Sequence, residues 1–382
     1  MKNSRKIIYL AGFLFSIPLA LTSFINSSFL ETYISEYYIG IIYVIASLAT
    51  IWGLLEMPKI LTRFGNRYTA LLFSLIIFFS LLLLAFGNNA FIVIPAFILY
   101  FLSSNFIIAS LDIFVEDFSK SSSIGRIRGL YLMIINSAWV IAQLISGSII
   151  AQSSFKGIYL FSAGFMVLFS VIFILFLRNF TDPKYKKIPI LKTVKFFAQN
   201  KKISKIYLIN FILKFFYTWM VIYTPIYLHE YLNFGWDKIG IIFSIMLIPF
   251  VILEFPLGKL SDKIGEKKML IAGFIVSILS ILAIPFINEP RLIFWAGILF
   301  ATRVGAATIE VLSESYFFKV VSEENADAIS FFRNTTPLSY IIAPLLAVPV
   351  LLFVPSFEYL FFILGAVMLY GLFITLRLRD IK

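Results

Sequence analysis

The chain has no cysteine and a single histidine, His229, in 382 residues. Disulfides and thiolate metal sites are therefore excluded, and imidazole chemistry has only one place to reside. Charge is scarce as well, at 14% of the residues. No G-x-x-x-x-G-K-[ST] loop is present, so ATP is not the direct energy source. No nucleophile–base or metal-ligand constellation stands out, so neither an enzymatic activity nor a cofactor is expected. Apolar residues are abundant. They make up 60% of the chain, including 44 Phe, and the mean hydropathy is +0.96. A soluble fold of this length could not bury that much apolar surface, so lipid must be part of its solvent.

The apolar residues fall into runs of about twenty, the length that crosses the hydrocarbon of a bilayer as a helix. The runs lie near residues 7–29, 39–58, 68–87, 90–111, 129–152 and 157–178, then 204–228, 239–258, 268–287, 291–313, 331–354 and 357–377. Polar breaks such as Gly87-Asn88-Asn89 and Asn288-Glu289-Pro290 separate them. The first run follows Met1–Lys6 in the manner of a signal peptide. It lacks a small-residue cleavage pattern and is read as the first transmembrane helix.

The two sets of six repeat each other. Residues 29–42 read FLETYISEYYIGII, and residues 227–242 read YLHEYLNFGWDKIGII. Glu56 and Pro58 match Glu254 and Pro256, and Asn105, Asp112 and Glu116 match Arg303, Glu310 and Glu314. The expected fold is an all-α membrane protein of twelve transmembrane helices in two pseudo-symmetric six-helix bundles. The expected division is an N-terminal bundle at 1–179, a cytoplasmic linker at 180–203 and a C-terminal bundle at 204–382. The TVKFFAQN stretch of the linker reads either as a short amphipathic helix at the lipid surface or as a solvated connection.

The net charge of +12 invites a nucleic-acid reading, but its placement argues against one. With the N-terminus inside, the outer loops hold only Lys156, Lys238 and Arg291, and only Lys214 and Arg303 fall within helices. The other Lys and Arg lie on the inner side. This segregation is the positive-inside pattern of a multi-pass protein of the cell (inner) membrane with both termini cytoplasmic.

Between the eighth and ninth helices stand Gly258, Asp262, Lys263, Gly265, Lys267 and Lys268. The small residue permits close helix approach, Gly265 supplies a turn, and the lysines hold the loop at an anionic leaflet. This stretch resembles the loop signature of the major facilitator superfamily, G-x-x-x-D-[RK]-x-G-[RK]-[RK], with only Glu266 departing from it. The first-half loop keeps Arg63, Gly65 and Arg67 but carries Pro58 and Thr62 in place of the glycine and aspartate. The resemblance implies a secondary transporter that works by alternating access on a small-molecule substrate, as a monomer in contact with membrane lipid. Whether protons are coupled stays open. One alternative is a drug or amphiphile efflux antiporter, although the stretch Ala138–Gly147 lacks most of the fifth-helix pattern of that branch. A further alternative is a receptor or sensor that kept the bundle and lost transport.

Lys214 and Arg303 sit near mid-membrane on the seventh and tenth helices, where a charge is costly unless it faces protein or water. The resemblance implies that the first, fourth, seventh and tenth helices line a central cavity. Lys214, Arg303, Asn26, Asn105, Asn136, Gln143 and Tyr217 are therefore candidates for substrate binding. Arg303 and Glu310, like Asn105 and Asp112, are seven apart and share a helix face, with Glu314 and Glu116 one turn further. These acids, with Glu56, Glu254 and Arg333, are candidates for proton coupling or gating. The competing reading has the charges bracing one another, for example Glu310 with Arg333.

Overall fold

In the computed structural model, residues 2–117, 124–177, 190–287, 289–321, 331–354 and 356–379 are described. The side chains of Glu116, Glu254, Asp262 and Lys263 fall outside that description. Every regular element among the described residues is helical. In chain order these are α1 (Lys2–Ser23), α2 (Asn26–Glu31), α3 (Glu36–Phe86), α4 (Ala90–Asp117), α5 (Ile124–Phe176) and α6 (Ile190–Gln199). They continue with α7 (Lys201–Ile226), α8 (Trp236–Ile264), α9 (Glu266–Ala283), α10 (Leu292–Val320), α11 (Thr335–Phe353) and α12 (Tyr359–Leu376).

Ten of these helices are long and apolar enough to cross a membrane. Two of the ten, α3 and α5, carry candidate spans of 51 and 44 residues, far more than one crossing needs. Each is interrupted by one non-helical residue, Gly65 (φ 75°, ψ 161°) in α3 and Ser154 (φ 57°, ψ −171°) in α5. Cut at those points, the ten helices give twelve helical segments (10 + 2), close to the runs read in the sequence. The expected loop between 58 and 68 is instead helical up to a single residue. Gly65 lies at a positive φ that a residue with a Cβ rarely adopts, so one glycine turns the chain without a loop. The first expected run is also divided, into α1 and the short buried α2.

Proline shapes α7. Pro225 lacks an amide hydrogen and its ring crowds the carbonyl four residues earlier. The helix widens directly afterwards into a π turn over Tyr227–Tyr231. Pro18, Pro249 and Pro344 also lie inside helices, whereas Pro337 falls in the first turn of α11, where a missing donor costs nothing.

The chain forms two compact units, residues 1–187 with 235–244, and residues 188–234 with 245–382. In the first, α1 meets α4 through Thr22 Oγ1 and the Tyr100 hydroxyl at 2.6 Å. The Tyr159 hydroxyl donates to Asn26 Oδ1 at 3.0 Å. In the second, α7 meets α11 twice, through Asn210 Nδ2 to Thr335 Oγ1 at 2.8 Å and Thr218 with Ser339 at 2.7 Å. Such bonds give helices direction in lipid, where apolar contact alone does not. α9 and α10 approach closely at Gly273 and Gly305; a Cβ on Gly305 would lie 2.6 Å from the Gly273 carbonyl oxygen. The stretch read as amphipathic helix or solvated connection is the helix α6. Its Phe197 packs on Tyr207, Phe317 and Phe331. Large apolar side chains such as Leu48, Trp52, Leu72 and Phe79 stand exposed along α3, as lipid-facing positions do.

Candidate functional site

Within the second unit, α7 and α10 place four sequence candidates together. Lys214 lies thirteen residues into a candidate span that runs from Lys201 to Tyr231, close to its middle. At about 1.5 Å per residue that is roughly 20 Å along the helix. Lys214 Nζ meets Glu310 Oε1 at 2.6 Å, and the Tyr217 hydroxyl donates to Glu310 Oε2 at 2.8 Å. Lys214 and Tyr217 are three residues apart on α7, so one helix face holds both oxygens of a carboxylate from its neighbour. The Lys214 and Glu310 side chains are 20% and 24% exposed. The recorded partners of Glu310 are thus on α7, and Arg333, the alternative considered from the sequence, is exposed.

Arg303 lies two turns along α10 from Glu310 and is 2% exposed. Its guanidinium carbon stands 4.8 Å from the Phe216 ring centroid and 5.8 Å from that of Tyr217. Those are cation–π distances. Lys214 Nζ is 5.2 Å from the same Tyr217 centroid, so one ring serves both cations. The Phe250 ring adds an edge contact to Tyr217 at 5.9 Å. Arg303 Nη1 is buried and has no hydrogen-bond partner among the described residues. A buried donor left unmade costs about 1–3 kcal/mol, more when it is charged. Among the described residues, the cluster sets two cations, Lys214 and Arg303, beside one carboxylate, Glu310.

The other candidates lie elsewhere. Asn26 accepts from Tyr159, and Asn105 Nδ2 donates to the Phe101 carbonyl at 2.9 Å within α4. Gln143 is buried and donates through Nε2 to the Ala20 carbonyl at 2.5 Å. Asn136 and Asp112 are half-buried, and Glu314 is exposed. Glu56 pairs with Lys59 one turn away on the surface. Glu116, Glu254, Asp262 and Lys263 lie outside the described side chains. Gly258 sits on α8, and Gly265, at φ 91°, caps α9. Lys267 is half-buried and Lys268 exposed. Gly65 makes the equivalent turn in the first half. Arg63 lies over Phe64 at 5.3 Å, and Arg67 donates to the carbonyls of Phe173 and Ile174. Among the described residues, no three His, Asp or Glu side chains gather as metal ligands.

Two residues escaped the sequence reading. Phe216, one of many phenylalanines, carries no signal in the sequence that separates it from a lipid-facing residue. Glu266 read only as a departure from the loop pattern. It is 2% exposed, is paired with Lys319 and accepts from Ser315 Oγ at 3.3 Å.

Repeated apolar spans with a charge cluster held between two of them define the class: a multi-pass membrane transport protein. The family model of the Major Facilitator Superfamily matches residues 8–238 and again 206–382. The chain belongs to that family and is a secondary active transporter. Three similar solved structures agree on the fold. A POT family transporter in complex with a thioalcohol-conjugated peptide gives a TM-score of 0.78 at 13% identity, covering 98% of this chain and 96% of that one. The nucleoside transporter NupG gives 0.77 at 12%, covering 98% and 99%. A POT family transporter in complex with 5-aminolevulinic acid gives 0.76 at 13%, covering 98% and 96%. No curated protein matches in sequence.

Proposed function

We propose that the transporter moves a small solute bearing an anionic or strongly polar group, held by Lys214 and Arg303, with Glu310 as the proton-responsive partner. The observation that carries this reading is the Lys214–Glu310 pair at 2.6 Å, partly exposed near the middle of its span. An incoming anion competes with Glu310 for the ammonium of Lys214. The displaced carboxylate is then a lone charge in a low-dielectric site, and taking up a proton removes that cost. Binding of the solute and binding of a proton thereby favour each other. The groups recorded around Glu310 are Lys214 and Tyr217 from α7, with Arg303 on the same helix.

Alternating access of the two bundles, joined through 180–203, exposes the site to each side in turn. The remaining polar candidates, Asn26, Asn105, Asn136 and Gln143, with Asp112, Glu116, Glu254 and Glu314, belong to this proposal as cavity or gate residues of the family's helices. The Lys and Arg distribution supports a cell-membrane location with both termini inside. The transporter is proposed to work as a monomer. The rings of Phe216, Tyr217 and Phe250 around the charges favour, as a second reading, export of amphiphiles that pair an apolar body with a charge.

Flux in proteoliposomes tests the proposal, with a panel of organic anions and cationic amphiphiles under an imposed pH gradient. Anion flux that rises with inward acidification, is lost in Lys214→Ala, and loses its pH dependence in Glu310→Gln is the expected result. Unchanged transport by a well-folded Lys214→Ala protein would overturn it. Binding without flux would mark a sensor.

A further inference from the structure

The Arg303 guanidinium takes no part in the Lys214–Glu310 pair. It is buried at 2% exposure under Phe216 and Tyr217, and its Nη1 has no hydrogen-bond partner among the described residues. A donor that is charged, dry and unmatched destabilises the protein unless some state of the molecule uses it. The ring of Tyr217 is tied down from its far end, since its hydroxyl donates to Glu310 Oε2 at 2.8 Å. The carboxylate that balances Lys214 therefore also anchors the ring beside Arg303.

We propose that Arg303 is a latent anion subsite covered by Tyr217, opened when the Tyr217–Glu310 hydrogen bond is released. The ligand chemistry is a carboxylate or phosphate oxygen that accepts from Arg303 Nη1, with its apolar neighbour against the Phe216 ring. The inference rests on the reading that an anion displaces Glu310 from Lys214. It adds an order of events. The anion engages Lys214 first, Glu310 and the Tyr217 hydroxyl part, the ring swings off, and the guanidinium takes the second contact. Tyr217 is thereby a positioning residue rather than a ligand. The subsite is hidden in the resting protein, so an anion too weak to displace Glu310 never reaches it.

Arginine labelling by phenylglyoxal, mapped by mass spectrometry on the full chain in detergent, reads this without transport. Arg291 and Arg377, both exposed, serve as internal references. In the wild type Arg303 is labelled far more slowly than the two references. Tyr217→Phe, which cuts the tether and keeps the ring, raises its labelling about tenfold or more, the effect of losing one hydrogen bond to a charged group. Tyr217→Ala raises it further. Benzoate and inorganic phosphate are the probes: protection of Arg303 by benzoate alone marks an organic-acid subsite, and protection by phosphate alone a phosphate subsite. Arg303 unlabelled in Tyr217→Ala would overturn the cover, and labelling that neither anion slows would overturn the subsite. A transport assay that fails at Lys214 with labelling intact would sink the wider reading and leave the cover standing.

Discussion

The Glu266 carboxylate, at the first position of α9, is ion-paired with Lys319 near the end of α10. The acid is buried at 2% exposure while the lysine is 40% exposed. The pair ties the turn made by Gly265 to the helix that carries Arg303 and Glu310.

Removing the lysine leaves a buried carboxylate without its cation, although the lysine's own exposure moderates the loss. Lys319→Met is expected to lower stability by about 1–3 kcal/mol, since the hydrogen bond from Ser315 survives. Glu266→Gln in the Lys319→Met background recovers part of it. Thermal unfolding in detergent measures both, and no loss in the single variant would refute the brace.

The Lys214–Glu310 pair invites a double-mutant cycle. Either Lys214→Ala or Glu310→Ala leaves one half-buried member of the pair without the other, whereas the double variant removes both. A coupling of about 1–3 kcal/mol is expected, with the double variant more stable than the sum of the singles predicts. Strict additivity of the melting shifts would mean that the two groups do not interact in the folded protein.

Gly65→Ala and Gly265→Ala place a Cβ at φ 75° and 91°, each with an extended ψ that is essentially reserved for glycine. Each is expected to cost about 1–3 kcal/mol. Gly164→Ala is the control: it lies in α5 with nothing within 4 Å of an added Cβ and should be neutral or slightly stabilising. If all three variants melt together, the turns are not held by glycine.

Phe197→Ala should free α6. The ring is buried at 5% exposure between Tyr207, Phe317 and Phe331, and its loss removes most of what fixes a ten-residue helix too short to persist alone. Amide exchange over 190–199 is expected to rise by about tenfold or more while α7 stays protected. Unchanged exchange would place the anchor elsewhere.

The sequence revealed what repeats and what is costly. Ile39-Gly40-Ile41-Ile42 and Ile239-Gly240-Ile241-Ile242 announced the duplication, and Gly65 and Gly265 now show it in the backbone as well. Lys214, Arg303 and Glu310 stood out because a charge within an apolar run demands an explanation. Which cation the acid takes was not legible, because both lie at plausible depths and only the helix rotation decides. That rotation gives Glu310 to Lys214 and leaves Arg303 to aromatic rings. Phe216 was invisible among 44 phenylalanines for the same reason. Glu266 stood out only as a departure from the loop pattern, because a charged residue at a loop edge ordinarily faces water and only tertiary structure shows it turned inward.

Among the described residues, the cluster of the second unit sets two cations, Lys214 and Arg303, beside one carboxylate, Glu310, so the proposed cycle has an electrical side as well as a chemical one. Each elementary charge carried through 100 mV is worth about 2.3 kcal/mol. On the reading proposed above, a bound monoanion brings one negative charge and the proton taken up by Glu310 one positive. The loaded and the empty cluster would then carry the same charge, and the membrane potential would not distinguish the two strokes of the proposed cycle.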